Sequence, residues 1–535
     1  GLFQIESRAQ IQMLRRTRPR NLDDLSVQVA IVRPGPIVGG AVNPYVRRRE
    51  MLRENPDYEV PYPHPLLKEA LGDTLGVIIF QDQVLMVCQA LASFTDGQAE
   101  KLRRAMSRKR SKEALVAHWD NFRDGAMANG VDETTAREIF AQVTAFSEFG
   151  FPKSHAAAFG LLAYQSAWLR QYYPIEFYVG LFNNQPMGFY SLDALGRDAR
   201  RNGIQTLLPN VNRSQVACTA EGGVAESAEG IATGTTEEAA SEAKSGDLRI
   251  GLGFVRGWGT EIAERIVAER EKNGPYTSLA DFLRRTPTSL KRPAIENLIW
   301  MGGFSDFGLT RRELLWQAGL WLGPEIDNQR TGGREDHTQT EMQLADPYAN
   351  LSFPDLEPTD RMVAEYRMLG FSAKLHPLTL LTGVLPEGTV SSERLPHLHQ
   401  HSTVRVAGLV TTRQSPKNAN GYVFVSIEDE YGHINLIVRP DIYKRDRNAV
   451  RMELFLAVRG RLQKDGDTLN VIAYEVEALR VPGTPVQRRE MSRTYTGNGG
   501  TSGSSSEADP DQKGPSPFHY LTALRQNPPG IKNWG

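Results

Sequence analysis

Residues 98–112 read Gln-Ala-Glu-Lys-Leu-Arg-Arg-Ala-Met-Ser-Arg-Lys-Arg-Ser-Lys. At about 100° per residue on a helix, Lys101, Arg104, Arg108 and Lys112 share one face. Leu102, Ala105 and Met106 occupy a neighbouring sector that can dock the helix on a core, and Arg103 and Arg110 project to a third side. Cations fixed on a docked helix suit an anion. They can clamp a triphosphate and offset the charge that develops as a phosphoryl bond breaks, or hold a nucleic-acid backbone. The competing reading is a solvated basic surface helix.

A second constellation is Leu252-Gly253-Phe254-Val255-Arg256-Gly257-Trp258-Gly259-Thr260, followed by a helical stretch in which Ile262, Ala263, Ile266 and Val267 form one apolar stripe. A Gly-x-Gly hairpin at a helix start exposes backbone N–H groups, and glycine lets a phosphate approach closely. This gives a sequence-independent grip on a DNA backbone by Arg256, Gly257, Gly259 and Thr260. The alternative is a helix turn that binds nothing.

Beyond residue 400 the period changes to two. Strands are expected at Thr403–Val410, Tyr422–Ile427, His433–Val438, Leu454–Leu462 and Thr468–Val476, with a helical stretch Ile442–Met452 between the third and fourth. Three strands, a helix and two strands is the order of an OB-fold. Exposed Tyr422 and Phe424 would stack bases, while Arg405, Arg413 and Lys417 would track a backbone. Either aromatic could instead be core, and OB-folds also bind proteins and sugars.

Chemistry that would join nucleotides is not visible. No His-Glu-x-x-His, Cys-x-x-Cys or phosphate-loop pattern occurs, and Asp23-Asp24 and Asp82 read as isolated surface acids. No catalytic residue and no metal ligand is assigned.

The elements that must position these groups fall into several domains, since 535 residues at roughly 150 per domain suggest three or four. The fold class expected is multidomain: mainly α-helical regions followed by an all-β OB-fold barrel. Residues 1–212 read as one helical block, 213–247 as an acidic low-complexity insertion, and 248–325 as the helix-hairpin-helix region. A polar linker at 326–345 and a connecting helical segment at 346–400 lead to the barrel at 401–480 and a flexible tail at 481–535. Net charge is −1, with 62 basic against 63 acidic residues, but the signs are segregated between a basic first fifty residues and the acidic insertion. Two cysteines exclude a disulfide scaffold and suit a reducing cytoplasm. No run of about 18 apolar residues is present, so no membrane helix is expected. The sequence opens on Gly1 without a leader pattern and is expected to be part of a longer polypeptide.

Taken together, five segments resemble bacterial C-family DNA polymerases, the α subunits of DNA polymerase III. They are Gly1–Ser7 (Gly-Leu-Phe-Gln-Ile-Glu-Ser), Gln28–Ile37 with its Arg-Pro-Gly-Pro loop, Ile78–Val84, Leu102–Met106, and Phe149–Ala157 with Pro-Lys-Ser-His. Asn183–Tyr190 and the Ile31-Val32 form of the loop resemble the error-prone, translesion branch. The resemblance covers roughly residues 1–480 in the order fingers, helix-hairpin-helix, OB-fold. It implies that Arg103, Arg104 and Lys109 meet the incoming nucleotide, with Lys153 and His155 from a second fingers motif. It also implies that Lys101, Arg108, Arg256, Gly257, Gly259, Thr260, Arg405, Arg413, Tyr422 and Phe424 meet DNA.

The implied substrates are deoxynucleoside triphosphates, and the implied partners are primer-template DNA and translesion accessory proteins; no sliding-clamp peptide is evident. Mg2+ would be bound by aspartates that in the family precede the Gly-Leu-Phe-Gln motif, so this chain alone is expected not to polymerise. The reading from another class is a non-catalytic helix-hairpin-helix/OB-fold nucleic-acid-binding protein. A protein-binding scaffold is a third.

Overall fold

Among the described residues, helices make up the ordered elements of the first 171 positions, and strands enter only after them. The computed structural model of the protein describes residues 1–32, 42–107, 112–145, 151–187, 191–222, 246–286, 290–322, 352–416, 419–465, 468–479 and 532–534. The chain divides into two compact units, Gly1–Gln171 and Tyr172–Gly535. Residues 172–212, read from the sequence as the end of the first helical block, therefore belong to the second unit.

In the first unit, helices Arg8–Thr17 and Leu22–Ile31 start where Ser7 and Asn21 accept from the backbone N–H groups of Gln10 and Asp24. Their apolar faces join Tyr45, Val46, Ile79, Phe80 and Ala156 in one core. A second core gathers Val84, Val87, Leu91, Ala99, Leu102, Phe122 and Ile139 from helices Gln81–Ala92, Asp96–Ser107, Lys112–Ala128 and Glu133–Ala145.

Within the Ile78–Val84 motif, Gln83 Oε1 accepts from Ile79 N at 2.9 Å and Phe80 N at 3.0 Å, and its amide donates to Thr74 Oγ1 at 2.7 Å. A buried amide satisfied on both sides fixes the start of its helix. The expectation that Asp24 is isolated fails: it takes both ends of the Arg49 guanidinium, which also donates to Thr17 O at 2.6 Å.

The second unit opens with helices Pro174–Asn183 and Leu192–Arg201 and a small sheet. In it β1 (Thr206–Leu207) lies parallel and β2 (Thr219–Glu221) antiparallel to β3 (Asp247–Arg249). Both ends of the expected acidic insertion are thus ordered, and Cys218 is buried. Two interactions explain this. Strand pairing satisfies the backbone, and Arg249 grips Glu221 through two bonds of 2.6 and 2.8 Å, neutralising one of the acids. Residues 223–245, the centre of that stretch, lie outside the described residues, as do 323–351 and most of the tail.

The barrel is built from β4 (Thr403–Gln414), β5 (Val423–Glu428), β6 (His433–Val438), β7 (Phe455–Asp465) and β8 (Thr468–Ala478) in the order β5-β6-β8-β7-β4, closed by β4–β5 pairing. Only β6–β8 is parallel among these five. This is the closed five-strand OB-fold expected from the sequence. Gly408 permits the closure, because a Cβ there would stand 2.7 Å from Glu428 O.

Val404, Val406, Val410, Val425, Ile427, Leu436 and Val458 fill the interior. On the outside, Ala407, Leu409, Phe455 and Ala457 pack under Met362 and Tyr366 of helix Pro358–Leu369. A strand buried on both faces loses the alternation that marks a half-exposed one, as β4 does at residues 406–410. A short strand, β9 (Lys532–Trp534), adds in parallel to β4 at Thr412–Gln414.

Candidate nucleotide and nucleic-acid contact sites

The basic helix forms as expected over Asp96–Ser107, with Ala99 and Leu102 buried and Lys101 exposed. Arg103 and Arg104 lie on its backbone, but their side chains, and all of Arg108 and Lys109, are outside the described residues.

The second fingers motif has a defined geometry. Residues Ile78–Val84 and Phe151–Ala157, far apart in sequence, lie side by side: Gln81 N donates to Phe151 O at 3.0 Å. The Asp82 carboxylate accepts from Lys153 N at 2.6 Å, so it caps the helix Lys153–Tyr172 from another segment. Lys153 Nζ reaches Asp73 at 2.6 Å, with both side chains substantially solvated. Two residues on, the exposed His155 ring stands edge-on between Phe151 at 4.9 Å and Phe159 at 4.3 Å. The arrangement presents a cation and an imidazole from the first turn of one helix.

In the hairpin, Gly257 and Gly259 both hold positive φ, 90° and 71°, and nothing lies within 4 Å of a Cβ placed on Gly259. Helix Gly259–Asn273 begins there without a side-chain cap. Arg256 and Thr260 are exposed, whereas Trp258 is buried and donates to Ala294 O at 2.9 Å. The hairpin is therefore nailed down by its tryptophan and open at its glycines, and first-turn N–H groups at such an opening suit an anion. The glycines just upstream differ in role: a Cβ on Gly251 would come within 2.3 Å of Val216 O.

On the barrel, Tyr422 is exposed and stands just before β5, while Phe424 is half-buried within it. Neither belongs to the interior core. Arg405 donates to Glu387 O at 3.0 Å and keeps part of its surface exposed. Arg413 departs from expectation. It donates to Val450 O at 2.6 Å and to Glu453 O, and burial pulls its guanidinium down to about 10. It ties β4 to the helix Arg447–Met452 and the residue that follows it, so two of its guanidinium nitrogens are already engaged. Lys417 lies outside the described residues.

Among the described residues no group of three or more His, Cys, Asp or Glu side chains could hold a metal ion. No helix among them is long and apolar enough to cross a membrane.

Residues 1–130 match the bacterial DNA polymerase III alpha subunit finger domain. Residues 203–314 match a helix-hairpin-helix motif and 404–479 an OB-fold nucleic acid binding domain. An error-prone DNA polymerase of Anaeromyxobacter sp. (strain K) is 39% identical over 493 residues, 92% of this chain and 41% of that protein. Over its finger region and over most of its length, the chain is similar to bacterial DNA polymerase III alpha subunits and error-prone DNA polymerases. Error-prone DNA polymerases of Mycobacterium tuberculosis and Methylococcus capsulatus are each 38% identical over 487 residues, 90% of this chain and 40% and 44% of those proteins. The chain thus spans about two fifths of the length of the curated relatives it matches.

The contacts of Asp73 and Asp82 with Lys153 are not legible in the sequence. The available signal was that Asp82 lies inside one family motif and Lys153 inside another.

Proposed function

We propose that this chain supplies the fingers, duplex-gripping and single-strand-handling parts of an error-prone DNA polymerase that extends a primer 3′-end in the cytoplasm during DNA repair. The reading is carried by one observation: the finger match, the hairpin and the OB-fold follow one another in a single chain related to error-prone polymerases over nine tenths of its length.

Lys153 and His155, on the first turn of a helix whose N-terminus Asp82 already occupies, would meet the incoming nucleoside triphosphate by side chain rather than by helix dipole. Arg103, Arg104 and Lys109 would add charge. Arg256 and the Gly257–Thr260 turn would hold the duplex backbone, and Tyr422 and Phe424 would take single-stranded template bases. Joining nucleotides needs carboxylates around divalent ions. In this proposal the chain alone binds primer-template DNA without extending it.

The test is kinetic. In the whole polymerase, Arg103→Ala with Arg104→Ala should chiefly raise the nucleotide KM. A loss of DNA affinity alone would refute the nucleotide assignment, and unaided primer extension by the purified 535-residue chain would refute the division of labour.

A further inference from the structure

We infer that the helical plug of the barrel carries a polyanion-binding ridge, Lys444, Arg447 and Arg451, that holds the phosphodiester backbone of single-stranded DNA. The inference rests on the barrel being a nucleic-acid binder and adds a contact surface distinct from its aromatic one.

The three side chains are exposed on two short helices, Pro440–Arg445 and Arg447–Met452, and make no ion pair or hydrogen bond among the described residues. Acids nearby do not neutralise them. Asp446 is taken by Arg445 in a two-bond fork of 2.8 Å each and by Val476 N at 2.9 Å, and Asp441 is taken by Arg439 at 2.9 Å. Three exposed helical arginines elsewhere, Arg137, Arg265 and Arg284, each have a carboxylate three or four residues earlier at 2.7 to 2.9 Å. Arg447 and Arg451, at i and i+4, set like charges beside each other, which is mildly destabilising on an isolated helix. An anion lying along both would remove that cost.

The ridge is held rigidly. Ile442 and Val450 are buried in the barrel core, Arg445 donates to Tyr474 O at 2.7 Å on β8, and Arg413 donates to Val450 O at 2.6 Å. It also continues from the aromatic surface. A Cβ on Gly421, next to exposed Tyr422, would touch Pro440 at 3.5 Å, the first residue of the plug. The turn that carries Tyr422 thus adjoins the start of the plug, and this adjacency to an exposed aromatic favours single-stranded DNA over an acidic protein as the occupant.

The experiment uses the 535-residue chain and a poly-dT oligonucleotide, with Kd measured by fluorescence anisotropy between 50 and 200 mM salt. At about 0.7 released counterions per phosphate, replacing Lys444, Arg447 and Arg451 with alanine should make the log–log salt slope shallower by about 2. Wild-type affinity should then fall about 20-fold more than the variant's across that range. Arg447→Lys with Arg451→Lys should keep the wild-type slope, and Tyr422→Ala should weaken binding at every salt concentration without changing it. A triple variant with the wild-type slope overturns the ridge, and does so in favour of an acidic protein if it has also lost binding to poly-glutamate. Failure of the wild-type chain to bind the oligonucleotide at all would instead overturn the reading of the barrel on which the ridge rests.

Discussion

Glu428, at the end of β5, pairs with Arg201, 227 residues earlier in the chain, and with Arg197 Nε at 3.0 Å. Arg197 also pairs with Asp193, whose other oxygen accepts from Tyr366 at 2.7 Å. Arg197, Asp193 and Glu428 are almost fully buried, so this cluster joins the barrel to helices Leu192–Arg201 and Pro358–Leu369 inside the second unit. Breaking one member leaves buried charge unpaired. Glu428→Gln should cost about 3–5 kcal/mol, measured as a lowered urea midpoint. Replacing Asp193, Arg197 and Glu428 together with apolar residues of similar volume should cost less than that single change.

The same cluster sets an acid limit. Burial alone would raise the Glu428 carboxyl, but Arg197, His433 and Arg201 outweigh it and hold it at about 2. Burial, reinforced by Arg197, depresses buried His376 to about 3. For both groups the unfolded chain binds the proton more readily. Stability is therefore complete above about pH 6.5, falls as His376 protonates in the unfolded state, and falls faster below about 4.5, where Glu428 contributes as well. Thermal midpoints recorded from pH 7 to pH 3 should drop progressively, and His376→Leu should flatten the upper part of that drop.

The two acids around Lys153 should separate by consequence. Asp82→Ala removes a helix cap and should cost about 1 kcal/mol of stability. Asp73→Ala breaks an exposed pair and should cost less than about 1 kcal/mol. Denaturant titration of both variants distinguishes them, and equal losses would mean that the exposed pair contributes more than its solvation suggests.

Two glycines in and just before the hairpin should also diverge. Gly251→Ala drives a methyl into Val216 O and should destabilise the fold severely. Gly259→Ala meets open space and bears only the strain of positive φ, about 1–2 kcal/mol, while lowering duplex affinity if the hairpin grips a backbone. Melting curves and duplex-binding isotherms for both variants give the comparison.

Arg413→Ala should destabilise the barrel by about 1.5–3 kcal/mol through loss of charged hydrogen bonds. Under conditions where the variant is folded it should leave the salt slope for single-stranded DNA unchanged. A shallower slope would return Arg413 to the backbone-contacting set.

The sequence by itself determined the local elements and their order. The basic helix, the glycine hairpin and five barrel strands follow from period 3.6, positive-φ chemistry and period 2, because each is a short-range rule that a stretch of chain obeys before it meets anything else. The resemblance to the polymerases was legible for the same reason, since contiguous motifs carry it. Tertiary structure decided which charges are spent and which are offered. Arg413 looked like a free cation and is bound to Val450 O and Glu453 O; Asp24 and Asp82 looked isolated and hold Arg49 and the start of a distant helix; Glu221 looked like part of a disordered acidic run and pairs with Arg249. A side chain's type fixes what it can bind. Its availability depends on partners tens to hundreds of residues away, and only folding brings those within hydrogen-bond reach.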